Sequence, residues 1–391
     1  MKKRILSLLL AAATLALSAC GAPSDSSASS GSESTSGLQH ICIGYSPGLC
    51  HAPLHVAYEL GLYEAEGLDA EMIQVDASHI QEIVGADQID AGFGLIGKFL
   101  QPIENGLAIK MTSGMHTGCV KIVAPKDSGI ASVNDLKGKR IGVTGLAGSE
   151  TIIAKRALAD AGISFDEKAP EVEFVVFSAA DLGQALENGS IDVIAATDPN
   201  VSQFADQYDL VTILDTAIDP AYQNEYCCAS FVSAKLAAER PEVAAAFTRA
   251  VLKASAWVNE NPREAAQIQL DKKYVSGELE FNAKLLASYN YKPSVQGGYD
   301  AVLQSVQQLA DIGILKADTD AKQFADNCYA FFDGVPDTYS ADEIGIDSNT
   351  SGEAPAASAA PASVSVSDGE DDCCSGGSRV SSTEASPVKK A

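Results

Sequence analysis

Apolar positions along the first two thirds of the chain follow two alternating patterns, one typical of strands and the other of helices. Ile41, Ile43 and Tyr45 alternate with other residues, which predicts a strand, and Pro53 suits the first turn of a following helix. Similar strand patterns recur, with helix-like stretches between them, in LDAEMIQV, QIDAGFG, LAIKMTSG, VKIVAP, RIGV, EVEFVVFS and IDVIAAT. This alternation predicts an α/β fold with a mostly parallel sheet.

The pattern becomes helical after about residue 234. Long amphipathic stretches predict four helices, with Pro241 and Pro262 near helix starts, over residues 239–259, 262–270, 278–288 and 295–313. An internal similarity precedes them. The runs IVGADQIDAGFG (83–94) and LENGSIDVIAAT (186–197) share a glycine, then Ile-Asp, then a small apolar strand. We interpret this as one supersecondary unit used once in each of two lobes.

The N-terminus reads as an export signal. Residues 1–19 join a basic start to an apolar run that is too short for a comfortable transmembrane helix. The run ends in Leu-Ser-Ala-Cys, which resembles the bacterial lipoprotein cleavage box, where the cysteine becomes the lipidated N-terminus. The prediction is therefore a lipoprotein signal peptide over 1–19 with lipid on Cys20; an ordinary signal with a chance cysteine is the alternative.

Two low-complexity segments flank the body of the chain. Residues 20–37 are rich in Ser and Gly and predict a flexible tether. Residues 340–391 predict a disordered acidic and Ser-rich tail, because they lack the apolar residues that a core needs. Signal, lipid and tether together predict an extracytoplasmic protein that is lipid-anchored to the cell membrane.

Charge and cysteine content limit the possible partners. The formal net charge is −25, from 52 acidic and 27 basic residues, which argues against nucleic acid as a partner. It does not exclude a small anionic ligand, because a local field can oppose the global one. Nine cysteines are present, and their spacing, with neighbours at 227–228 and 373–374, does not predict a small-domain disulfide framework. Paired and free thiols both stay open.

Three stretches of the body are distinctive: APLHVAYELGLYEAEGLD, VAPKDSGIASVNDLKGKRIGV and FVSAKLAAERPEVAAAFTRAVLKASAWVNENP. In this order they resemble the substrate-binding proteins of ABC importers, in particular the group that includes nitrate-, sulfonate/taurine- and thiamine-pyrimidine-precursor-binding proteins. The resemblance covers about residues 40–335.

This resemblance implies an α/β, two-lobed periplasmic-binding-protein fold, type II-like, with two hinge-crossing strands. Lobe one would comprise residues 38–118 plus 234–335. Residues 119–233 would contain lobe two and the hinge strands, which would fall near 119–124 and 226–233. A ligand would bind in the cleft and the lobes would close on it, and the partners would be a small molecule and a transporter permease.

The candidate ligand site follows from the position of strand ends. In open α/β sheets, ligands lie beyond the C-terminal ends of strands, near helix N-termini. Under the two-lobed arrangement several Cys and His side chains approach the same cleft. The predicted ligand-binding residues are Ser46, Cys50, His51, Gly94, Lys98, His116, Cys119, Gly148, Ser149, Thr151, Asp198, Cys227 and Cys228.

Other residues have structural or optional roles in this interpretation. Cys42 and Cys328 are expected to be small buried side chains, and His55 is expected to pack beneath the loop that carries His51. A sulfonate or oxyanion would need cations, of which Lys98 and Lys121 are the nearest by sequence. An aromatic ligand would need a stacking partner, with the options Tyr45, Phe93, Phe99 and Tyr226.

Three functions stay open. The first is a binding protein that captures a sulfonate, an aminopyrimidine-type heterocycle or an oxyanion for an ABC importer. The second is a metal or metal-chelate binding protein that uses the Cys and His residues of the cleft. The third resembles thiamine-pyrimidine synthases, which share the fold and carry a Cys-rich stretch associated with iron, matched here only by Cys227 and Cys228. We expect a binding protein without cofactor or catalytic residues, since no nucleophile–base arrangement is evident.

Overall fold

Two five-stranded sheets, each covered by helices, form the part of the chain that the computed structural model describes, residues 37–77 and 79–344. Residues 38–344 fall in one structural unit. The predicted signal peptide, the lipidated Cys20, most of the tether and nearly all of the tail lie outside the described residues. Within the described part, no helix is both long enough and apolar enough to cross a membrane.

The strands of the described part have the bounds β1 Gln39–Tyr45, β2 Leu68–Gln74, β3 Ala91–Leu95, β4 Ile109–Thr117, β5 Val120–Pro125, β6 Arg140–Val143, β7 Glu173–Val176, β8 Val193–Thr197, β9 Leu210–Asp215 and β10 Tyr226–Ser233. Its α-helices are α1 Ala52–Glu59, α2 Leu62–Ala65, α3 Ile80–Gly85, α4 Ile96–Glu104, α5 Ser149–Asp160, α6 Leu182–Glu187, α7 Asn200–Gln207, α8 Ala234–Glu239, α9 Pro241–Glu260, α10 Pro262–Asp271, α11 Leu279–Ser288, α12 Val295–Asp311 and α13 Ala321–Cys328. The predicted long helices are therefore present, and α9 and α10 begin at the expected prolines.

Both sheets are mixed, with the orders β2-β1-β3-β10-β4 and β7-β6-β8-β5-β9. Strand β1 is parallel to β2 and β3, whereas β10 is antiparallel to β3 and β4. The second sheet repeats this arrangement with β6 parallel to its neighbours and β5 antiparallel to β8 and β9. In each sheet four strands run in the same direction and one strand, β10 or β5, runs against them, so the sheets are mostly parallel as predicted. Strands β5 and β10 are antiparallel because they enter directly from the other sheet instead of returning through a helical crossover.

The predicted supersecondary unit occurs once in each sheet. In the first sheet, Asp90 accepts a hydrogen bond at Oδ2 from the backbone N–H of Cys42 at 2.9 Å. In the second, Asp192 accepts the equivalent bond from Arg140 at 2.8 Å. The preceding isoleucines also match, since a side chain at Gly44 or Gly142 would clash with the Cδ1 atom of Ile89 or Ile191 respectively. Each Ile-Asp pair thus fixes the position of a neighbouring strand, β1 in the first sheet and β6 in the second.

The chain crosses between the sheets at two places. The first crossing is Gly118–Cys119, between β4 and β5, and the second is residues 216–225, between β9 and β10. The crossings predicted near 119–124 and 226–233 fall instead mostly in strands β5 and β10, which lie inside the second and first sheets. The apolar pattern could not distinguish the crossings from the strands, because the first crossing is very short and an apolar strand lies on each side of it.

One threonine links the two crossings. The hydroxyl of Thr216 accepts hydrogen bonds from the backbone N–H groups of Cys119 at 3.1 Å and Val120 at 3.0 Å. It also donates to the carbonyl oxygen of Val120 at 3.0 Å. Gly118 lies against the next residue of the second crossing: its φ is +62°, and a Cβ atom there would be 2.3 Å from Ala217 Cα.

We predict that Gly118→Ala lowers the free energy of unfolding by roughly 2–4 kcal/mol, because it combines a disfavoured φ with overpacking against backbone. Urea denaturation of the purified chain measures the change. The matched control is Gly129→Ala, since Gly129 has a φ of +74° with no atom within 4 Å of its Cβ position. Equal losses in the two variants would show that the contact with Ala217 is unimportant.

Candidate functional site

The loop between β1 and α1 forms the first wall of the cleft. Its backbone N–H at Ser46 donates to His51 Nδ1 at 3.4 Å, and both residues are buried. Burial lowers the pKa of His51, and the charges of His116 and Lys98 lower it further against an opposing effect of Cys50. His51 is therefore neutral near pH 7, and because Nδ1 accepts a hydrogen bond, its proton resides on Nε2.

A layer of buried rings continues from His51 across the first sheet. The ring of Phe93 lies 5.2 Å from that of His51 and is stacked 5.8 Å from that of His116. On its far side, His116 is stacked on Tyr289 at 5.4 Å and lies 4.9 Å from Tyr291. Neither tyrosine was among the site residues predicted from the sequence. Both follow α11, some 170 residues after His116. The available signal was a Tyr-x-Tyr pair just past a helix end.

Three polar atoms of this wall are buried and make no hydrogen bond within the described part of the chain. They are the hydroxyl oxygens of Ser46 and Tyr289 and the Nε2 atom of His116. An unpaired buried polar group costs about 1–3 kcal/mol of folding free energy. A ligand that formed hydrogen bonds with these atoms would remove that cost.

The four predicted cysteines form a cluster, and three of them lie close to His116. Cys227 Sγ lies 3.6 Å from Cys119 Sγ, 3.7 Å from Cys228 Sγ and 3.6 Å from His116 Nδ1. The ligand atoms of Cys50, His116 and Cys228 also lie within 4.8 Å of one another. All four cysteines are free thiols. Although burial raises the pKa of Cys227, hydrogen bonds with Cys119 and Cys228 lower it to about 6.

The wall from the second sheet holds most of its predicted donors within its own loop. Gly145 accepts at its carbonyl oxygen from the Gly148 N–H at 2.9 Å and from the Thr151 hydroxyl at 2.6 Å. Ser149 differs, because it lines a small cavity of about 40 Å³ together with Gly97 of the first lobe and Cys227. Binding by Gly148, Ser149 and Thr151 stays a prediction, but two of these three donors already have an acceptor.

Cations near the cleft are paired. Lys121 donates to Asp198 at 2.8 Å, and Asp198 also accepts from the Ser202 hydroxyl. Lys98 donates to the carbonyl oxygen of Ala77, and burial lowers the pKa of this lysine. Arg156, which lines the small cavity, donates to both carboxylate oxygens of Glu225, at 3.0 and 2.8 Å. Predicted contacts of Lys98 and Asp198 with a ligand would therefore compete with existing bonds.

Several residues that the sequence analysis weighed are part of the packed core. His55 is fully buried and stacked on Tyr274 at 3.9 Å, as expected for a residue packed beneath the loop. Tyr45 packs edge-on against the rings of His55 and Tyr274, and Phe99 packs on Phe231. Neither Tyr45 nor Phe99 is therefore part of the ring layer that lines the cleft. Gly94 provides room for Phe99, whose ring lies 2.6 Å from the Cβ position of that glycine.

Comparisons with known proteins agree with this architecture. The family model NMT1/THI5 like matches residues 49–265, more than half of the chain. A putative aliphatic sulfonates-binding protein of Bacillus subtilis (strain 168) is 26% identical over 84% of this chain and 96% of that protein. A 4-amino-5-hydroxymethyl-2-methylpyrimidine phosphate synthase of Aspergillus parasiticus is 28% identical over 58% of this chain and 68% of that protein.

A solved structure shares the fold. The periplasmic nitrate-binding protein NrtA from Synechocystis PCC 6803 superposes with a TM-score of 0.62 at 15% identity, covering 75% of this chain and 86% of that one. The resemblance implied by the sequence motifs is confirmed, and so is the α/β, two-lobed periplasmic-binding-protein fold.

We predict opposite stability effects for two neighbouring tyrosines. Tyr289→Phe removes an unpaired buried hydroxyl and should raise the free energy of unfolding of the ligand-free chain by about 1 kcal/mol. Tyr291→Phe is the matched control, because its hydroxyl donates to the carbonyl oxygen of Cys50 at 3.4 Å, and it should lower that free energy by about 1 kcal/mol or less. Urea denaturation measures both; destabilisation by Tyr289→Phe would mean that its hydroxyl has a partner.

Proposed function

This chain belongs to the NMT1/THI5-like family, and we propose that it is a lipid-anchored extracytoplasmic solute-binding protein that delivers a small organic solute to the permease of an ABC importer. The observation that carries the proposal is the set of unpaired buried polar atoms on Ser46, His116 and Tyr289, which belong to the wall formed by lobe one. A ligand that supplies hydrogen-bond partners there removes the cost of burying them. The relatives and the shared fold support the same class of function.

Among the candidate solutes, an aminopyrimidine-type heterocycle fits the cleft better than a sulfonate or an oxyanion. The rings of Phe93, His116 and Tyr289 are stacked in succession, and a flat aromatic ligand gains from contacts of this kind. A ring with amino groups and ring nitrogens also has donors and acceptors for the unpaired atoms. An anion would instead need a cation, and Lys98, Lys121 and Arg156 all have partners.

Binding without turnover is the better-supported activity. The Aspergillus relative is named for the synthesis of a pyrimidine phosphate, but this chain has an N-terminus that resembles a lipoprotein export signal. Solute capture needs only the cleft and a hinge. The described side chains of the cleft are hydrogen-bond donors, acceptors, thiols and rings, which suffice for that task.

We predict that 4-amino-5-hydroxymethyl-2-methylpyrimidine binds the full chain, whereas taurine and nitrate do not. A ligand at a hundred times its dissociation constant stabilises the folded state by about 2.7 kcal/mol, so a thermal-shift assay followed by titration calorimetry detects it. His51→Ala should weaken binding roughly tenfold, because it removes one hydrogen-bond donor. His40→Ala is the matched control, since that side chain is half-exposed on β1.

Three different results would contradict the ligand class, the solute-binding function and the absence of turnover. Binding of taurine or nitrate in place of the pyrimidine would contradict the ligand class and keep the solute-binding function. No binding of any of the three, with no small molecule released from the native protein in mass spectrometry, would contradict the solute-binding function. Conversion of the pyrimidine to a product would contradict binding without turnover.

The membrane anchor has its own test. We predict that cells fed a labelled fatty acid attach the label to the wild-type chain and not to Cys20→Ala, because the thiol of Cys20 is the acceptor of the lipid. Membrane fractionation should then find the variant released. Label on the variant would contradict the assignment, and Cys42→Ala serves as the control for loss of an unrelated cysteine.

A further inference from the structure

The thiols at the start of β10 are arranged in a way that an ordinary strand does not produce. Successive side chains of a regular strand point to opposite faces of the sheet, yet the Sγ atoms of Cys227 and Cys228 are only 3.7 Å apart. The pairing of β10 with β4 shifts register on either side of Cys228, between Tyr226 and Cys228 and again between Cys228 and Ala229. Bulges of this kind re-aim side chains next to functional sites.

Distances within the cluster match those of a metal coordination shell. Two thiolates at about 2.3 Å from one tetrahedral ion lie about 3.8 Å apart, and a thiolate and an imidazole nitrogen about 3.6 Å apart. The observed separations from Cys227 Sγ are 3.6 Å to Cys119 and 3.7 Å to Cys228. The structure describes these groups as free thiols, so the short separations do not arise from a disulfide.

The histidine beside the thiols contacts them through Nδ1, which lies 3.6 Å from Cys227 Sγ. The same Nδ1 atom lies 3.1 Å from the carbonyl oxygen of Thr117, so it carries the proton and donates it. The lone pair is then on Nε2, which is buried and has no partner in the described chain. His116 is therefore a neighbour of the thiol cluster and not one of its ligands.

We propose that Cys119, Cys227 and Cys228 bind one thiophilic metal ion, zinc or copper(I), with Cys50, whose Sγ lies within 4.8 Å of that of Cys228, as the neighbouring thiol that supplies a fourth ligand. Soft thiolates select these ions, and three thiols in one buried cluster without an adjacent free cation among the described residues are best neutralised by one. The ligands come from the loop after β1 and from the residues next to both crossings. The bound ion therefore joins lobe one to the hinge.

The test uses the full chain with Cys20, Cys373 and Cys374 replaced by serine, which removes the thiols outside the described residues. The reduced protein is freed of metal with a chelator and then titrated with Zn²⁺ or with Cu(I) against a chromophoric competitor. We expect one ion per chain, and an affinity lowered at least about tenfold by Cys119→Ser or Cys227→Ser, which corresponds to 1.4 kcal/mol or more. Cys328→Ser, a buried free thiol on α13, should change it less than twofold.

A second measurement does not depend on whether the variants fold. X-ray absorption at the metal edge of the loaded protein should show sulfur scatterers at about 2.3 Å. A shell of nitrogen and oxygen alone, uptake that survives loss of Cys119 and Cys227, or no uptake of either ion would overturn the proposal. A reduced protein that reoxidises to a Cys119–Cys227 disulfide, two mass units lighter, and then takes up no metal after re-reduction would overturn it as well. None of these results bears on pyrimidine binding, which is measured separately.

Discussion

The cleft depends on the hydroxyl of Thr216, because its hydrogen bonds hold the two crossings together. It accepts from two backbone N–H groups of the first crossing while belonging to the second, and it is almost completely buried. Without it, both N–H groups would be buried and unpaired, at about 1–3 kcal/mol each. Because Cys119 lies in the first crossing and Cys227 follows the second, the hydrogen bonds of Thr216 also set the distance between the thiols of these two cysteines. His116, two residues before Gly118, is positioned by the same short piece of chain.

Ion pairing decides which ligands the cleft favours. For Lys121 to contact a sulfonate, it would have to leave Asp198, whose side chain is completely inaccessible to solvent. A carboxylate left buried without its partner is strongly unfavourable, so the exchange of one anion for another gains little. The unpaired atoms of the first wall belong to two hydroxyl groups and an imidazole, and they can form hydrogen bonds with a ligand whose polar groups are uncharged. The overall acidity of the chain acts in the same direction, since it disfavours anions at long range.

Local patterns predicted the parts of the fold that local forces determine. Helix starts at Pro241 and Pro262 and the Ile-Asp unit of each sheet were predictable, because a fixed φ or one short-range carboxylate contact produces them. The one antiparallel strand of the first sheet was not predictable, because the position of β10 is set by where the chain re-enters that sheet. Tyr289 and Tyr291 reach His116 only through tertiary packing. The bonds that Thr151 and Gly148 make to Gly145 were not predictable for a similar reason, since they form only when the loop folds back on that residue.

The position of β10 also constrains the order in which the molecule is completed during synthesis. The strands of the second sheet, from Val120 to Asp215, are contiguous in the chain, so that half can form as soon as it has emerged. The first sheet must wait, because its neighbours β3 and β4 are bridged only by residues 226–233. Until that strand arrives, two apolar edges are open to pairing with other chains. A nascent chain carries this hazard from the completion of β4 until residue 233 has emerged, which gives a holding chaperone its period of use.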